Sequence, residues 1–150
     1  MNTASKTILS LSLTAILAAS LTGCGPQDGI NRDFASADAL LAALSSEGFE
    51  CDIFEERPSG DFQEDSELYG LNSMSWCYPT PNTGEIGVFI FENASGTDEA
   101  AKGTNFSCNG TATDFKFIKS NNWMLTSDDL ETINELANLA QTQVTTFPDC

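Results

Sequence analysis

The sequence contains no histidine. That excludes every Ser-His-Asp or Cys-His nucleophile, every imidazole metal ligand and the usual proton shuttle near neutral pH. Positive charge is nearly as scarce. Six Lys+Arg stand against 22 Asp+Glu, for a net charge of −16 at pH 7. Such a chain lacks the basic patch with which proteins displace counterions from nucleic-acid phosphates. No G-x-S-x-G, G-x-x-x-x-G-K-[ST] or G-x-G-x-x-G occurs, so neither a nucleophile elbow nor a phosphate-cradling glycine loop is encoded. No repeat of about 20–50 residues is visible. The length, 150 residues, suits one domain.

What is present begins with an address. Residues 1–23, MNTASKTILSLSLTAILAASLTG, carry Lys6 and then an apolar run from Thr7 to Leu21. This suits the h-region of a signal peptide and is short for a spanning helix. Leu21-Thr22-Gly23-Cys24 has the form of a bacterial lipobox, so Cys24 is the expected lipidation site and first mature residue. A plain secretory signal cut near Ala18-Ala19-Ser20, or an uncleaved anchor, would be the alternatives. The expected location is the extracytoplasmic side of the cell membrane, held by lipid. All 22 acids and five bases fall after the cut, which takes the mature side chains to −17. Residues 24–35 read as a lipidated N-terminus with a short turn-rich linker, and 36–150 as a single domain.

Five cysteines is an odd number, and assigning Cys24 to lipid leaves four. Cys51, Cys77, Cys108 and Cys150 lie too far apart in sequence for a C-x-x-C metal site, and export favours disulfides. Three pairings are available, of which Cys51–Cys77 and Cys108–Cys150 are the expected ones. The first would join neighbouring strands and the second would pin the C-terminus.

Patterning predicts an α+β fold. Residues 36–47 form a helix, with Ser36 as cap, a stripe of Leu40, Leu41 and Leu44, and Gly48 as the stop. Strands are expected at 49–54, 71–78 and 85–92, the last apolar on both faces and therefore central. A short helix spans 95–102, a hairpin 114–118/122–126, and a last helix 127–141, capped by Ser127 or Asp128, with Leu130, Ile133, Leu136, Ala137 and Ala140 inward. The order α-β-β-β-α-β-β-α implies an antiparallel sheet of about five strands with three helices. Residues 55–70 read as an acidic loop broken by Pro58 and Gly60.

That loop holds the densest functional candidate. Asp61, Glu64, Asp65 and Glu67 offer hard oxygen ligands for a cation or a basic partner, although calcium-loop spacing is missing. A paired-carboxylate glycosidase is a remoter use of such residues. Thr113/Lys116 and Asn82-Thr83-Gly84 have better explanations as strand and turn. Trp76, Tyr78 and Trp123 could line a groove, but strand aromatics usually belong to the core. The Asn93, Asn105 and Asn109 sequons fit a Ser/Thr/Asn-rich composition. No cofactor, metal or catalytic residue is expected.

ALLAALSSEGFEC at 39–51, SWCYPTPNTGEIGVFIFEN at 75–93 and IKSNNWMLTSDD at 118–129, behind the lipobox, resemble small uncharacterised lipoproteins of actinobacteria. The resemblance covers most of the mature chain, apart from the acidic loop and Cys150. It implies an anchored compact α+β domain and transfers no catalytic residues. The expected function is a non-catalytic binding or interaction module at the membrane surface, its partner an envelope protein or ligand. An inhibitor or accessory subunit of an exported enzyme or transporter is the alternative, and a small envelope hydrolase the third reading.

Overall fold

A computed structural model describes residues 29–79, 84–102 and 115–147. Cys24, Cys108, Cys150, the Asn82-Thr83 turn, the Asn105 and Asn109 sequons and Thr113 lie outside the described residues.

The first helix, α1 (Ala37–Ser46), starts where Ser36 Oγ accepts the Ala39 N–H. It stops through paired bonds from Gly48 N–H to Ser45 O and from Phe49 N–H to Leu44 O, with Gly48 at φ +100°. Phe49 is thereby used by the helix stop and buried beneath it. This is why β1 (Ile53–Glu56) begins later than the alternation from 49 suggests.

Residues 59–69 are not a loop. A 3-10 turn (Ser59–Phe62) leads into α2 (Gln63–Tyr69). Pro58 precedes the first turn, where a missing N–H costs nothing, and its carbonyl accepts the Asp61 N–H. Gly70, at φ +67°, ends the helix.

Next come β2 (Leu71–Tyr78), β3 (Ile86–Phe91), α3 (Ala94–Ala100), β4 (Lys116–Ser120), β5 (Trp123–Ser127), α4 (Leu130–Ala140) and β6 (Thr145–Thr146). Among the described residues the sheet is antiparallel throughout, with six strands in the order β1-β2-β3-β5-β4-β6. The α+β class is as expected. The extra elements are the helical segment before β2 and the short β6, which the sequence pattern did not mark. Asp129, not Ser127 or Asp128, caps α4, because Ser127 still belongs to β5. Leu130 then falls on the first helical residue and is exposed rather than in the stripe.

Both faces of the sheet are covered. Cys77, Ile86, Val88, Ile90, Ile118, Trp123 and Leu125 meet Leu40 and Leu44 of α1 and Ile133 and Leu136 of α4 on one face. Leu71, Phe89, Phe91, Phe117 and Met124 meet Phe62, Ala100 and Phe147 on the other. Each fully buried Leu, Ile, Val, Phe or Met among them contributes about 1.5–3 kcal/mol relative to exposure. β3 is buried along its whole length, as its two-sided apolar sequence requires.

The folded body starts before residue 36. Ile30 and Phe34 are buried in the α1/α4 core. Trp123 Nε1 donates to Ile30 O at 3.1 Å and Arg32 O at 3.2 Å, so most of the expected linker from Ile30 onward is structural.

Candidate functional site

The site is organised by one covalent tie. Cys51 follows the stop of α1, and Cys77 lies on β2 opposite Phe54. They form a disulfide closing a separation of 26 residues, with Cα atoms 5.6 Å apart. It fastens the α1–β1 connection to the sheet, with Cys77 fully buried.

The four acids of the cation candidate are not gathered. Asp61 lies 3.9 Å from Arg57 Nη1 in an exposed pair. Gln63 Nε2 donates to Glu67 Oε1 at 3.1 Å. Glu64 is exposed, while Asp65 is half-buried, and burial first, then the Glu64 carboxylate, push its carboxyl above the usual range. Among the described residues no three Cys, Asp or Glu side chains group so as to hold a metal ion. Glu64 and Asp65 sit in the first turn of α2, where acids favour the positive end of the helix.

The aromatics separate into core and surface. Trp123 is fully buried and its N–H is satisfied, so it is no groove residue. Trp76 is half-buried on the opposite face, edge-on to Phe89 with ring centroids 6.1 Å apart. The Arg57 guanidinium lies 5.9 Å from the Trp76 ring centroid. Gly87, directly across from Trp76 in the register, makes room for this stack. A Cβ there would come within 2.8 Å of the Trp76 ring and 2.6 Å of Phe89. Burial first, then Glu85 and Glu55, raise the Tyr78 phenol, while Arg57 opposes them.

A feature that patterning did not reveal lies on the α1 side of β1. A cavity of about 360 Å³ is lined by Leu41, Cys51 and Phe54 together with the acids Asp38, Glu50 and Asp52. The register explains it: Phe54 is paired with Cys77, and directly opposed residues share a sheet face, so Phe54 lies on the face that α1 covers. Acidic and apolar groups in one lining suit a cationic group carried on an aliphatic stem.

No family model matches the chain, and no curated protein or solved structure shows significant similarity to it.

Proposed function

We propose that the chain is a lipid-anchored extracytoplasmic lipoprotein whose domain is a non-catalytic binding module beside the membrane. The observation that carries the reading is the Cys51–Cys77 disulfide downstream of a lipobox. Disulfides of this kind persist where proteins are exported, and the same export explains the odd fifth cysteine. Lack of histidine speaks for binding rather than nucleophilic hydrolysis. Ile30 is part of the core, so only five residues lie between it and Cys24, and the six steps along the chain reach about 20 Å at about 3.3 Å per residue. The domain would work close to the bilayer.

The test is metabolic labelling with an alkyne fatty acid, followed by membrane fractionation, for the wild-type chain and Cys24→Ala. Wild type should be labelled and sediment with membranes, and the variant should stay unlabelled and unprocessed. Equal processing and partitioning of the two would defeat the anchor. Trapping of free thiols in intact cells should leave Cys51 unmodified.

A further inference from the structure

The two edges of the sheet differ. β6 is a pair of threonines, too short to template another strand. β1 is four residues long and exposed throughout, with Ile53 52% and Phe54 36% exposed. Arg57 N–H donates to Met74 O at 2.9 Å, so in this ladder residues 53, 55 and 57 turn their main-chain groups toward β2. Antiparallel alternation then turns the N–H and C=O of Phe54 and Glu56 outward. Among the described residues, nothing hydrogen-bonds to them. The acid-lined cavity adjoins this edge, with Phe54 in its lining.

We propose that β1 is a docking edge for a basic, extended segment of a partner protein, which joins the sheet as an additional strand and sets a lysine or arginine side chain in the cavity. Backbone bonds to Phe54 and Glu56 would supply strand addition. The aliphatic stem would cover Leu41 and Phe54, and the charged head would meet Asp38, Glu50 and Asp52. The same charges choose the occupant. A second copy would set Asp52, Glu55 and Glu56 against their own duplicates, whereas a basic strand is complementary to them. The inference rests on the reading of the chain as a binding module and names the chemistry of what it binds.

The probe is a labelled eight-residue peptide alternating threonine and lysine, titrated by fluorescence anisotropy into the full chain in nonionic detergent micelles. Its controls are the threonine/glutamate peptide and the threonine/lysine peptide N-methylated on alternate residues. The parent should bind at least ten-fold more tightly than either control. Glu56→Pro removes an outward donor without touching the β1–β2 ladder and should weaken binding at least ten-fold. Asp38→Asn/Asp52→Asn, on exposed positions that leave the backbone alone, should weaken it and flatten its salt dependence. No binding of the parent, equal binding of the N-methylated peptide, or indifference to the Asn pair overturns the proposal. In cells, a photo-crosslinker at Phe54 should capture a partner through a lysine- or arginine-rich segment. Capture only from Leu130, on the far helix, overturns the edge and keeps the module, and capture from neither position overturns both.

Discussion

The side chain of Asn122 clasps the main chain of Phe34 in both directions across 88 residues of sequence: Phe34 N–H donates to Oδ1 at 2.9 Å, and Nδ2 donates to Phe34 O at 2.8 Å. The same Nδ2 also donates to Phe91 O at 3.0 Å. One buried amide thus ties the N-terminal segment to the turn of the β4–β5 hairpin and the end of β3. Its satisfaction explains how a polar residue is kept 7% exposed.

Asn122→Ala would leave the Phe34 N–H and two carbonyls buried without this partner. We predict a loss of about 2–4 kcal/mol, since each stranded group costs about 1–3 kcal/mol with partial relief by water. Chemical denaturation measures it. Asn122→Asp keeps the acceptor, loses both donations and should also destabilise, with early proteolysis near residue 30 as the local sign of a released N-terminal segment.

Two glycines should separate by what a methyl group would strike. At Gly87 the added Cβ meets side chains, those of Thr126, Phe89 and Trp76, at 2.5–2.8 Å. At Gly96 it would overlap the Tyr69 carbonyl, which is backbone and cannot rotate away. Gly87→Ala should cost about 1–3 kcal/mol, as overpacking does, and shift Trp76 fluorescence. Gly96→Ala should cost more, because α3 must move off α2. Equal melting temperatures for the two variants would contradict this ranking.

The contrast between what was readable in the chain and what was not follows the range of the interactions. β2 and β3 were legible because alternation and two-sided apolarity are local records of being covered. α1 was legible because Ser36, the leucine stripe and Gly48 are all within one segment. α2 was hidden, since seven residues carry too short a stripe and it is held by Phe62 just before it and Tyr69 at its end, packed on distant strands. The edge site was hidden for a related reason. Phe54 looks like any strand aromatic until the pairing with Cys77 decides that it faces α1, and register is not written in β1 itself. The acids at 61–67 drew attention by density alone, whereas only the fold brings Asp38 into the same lining as Glu50 and Asp52.

The disulfide should contribute about 3.5 kcal/mol in the loop-entropy model for a separation of 26 residues. Cys51→Ser is the cleaner probe, because Cys51 is partly exposed while Cys77→Ala would also open a cavity. We predict a lower denaturation midpoint for Cys51→Ser, and a drop at least as large for wild type after full reduction. If reduction lowers wild type by the same amount and leaves Cys51→Ser unchanged, this bridge accounts for the whole redox effect. A further drop in the reduced variant would point to another disulfide.

Acid stability should reveal two carboxylates of one sign and one of the other. At the start of α4, Asp129 accepts first from the Thr132 hydroxyl and then from the Thr132 N–H, which hold its carboxyl below the usual value of 3.8. The Lys119 ammonium, by hydrogen bond and then by charge, does the same for Asp98. A folded pKa below the unfolded one gives stability that is present above pH 3.8 and lost as pH falls through the folded value. Asp65 runs the other way: burial raises its carboxyl, so it weakens the fold above its folded pKa, and protonation on acidification relieves that. Asp129→Ala should therefore cost about 1 kcal/mol at pH 7, the usual value of a lost cap, and progressively less as pH falls below the usual carboxyl value. Asp65→Asn should stabilise at pH 7 and lose that advantage in acid. Denaturation midpoints from pH 7 down to about pH 2 test both, and parallel curves for wild type and Asp129→Ala would show that the cap carries no charge-dependent part.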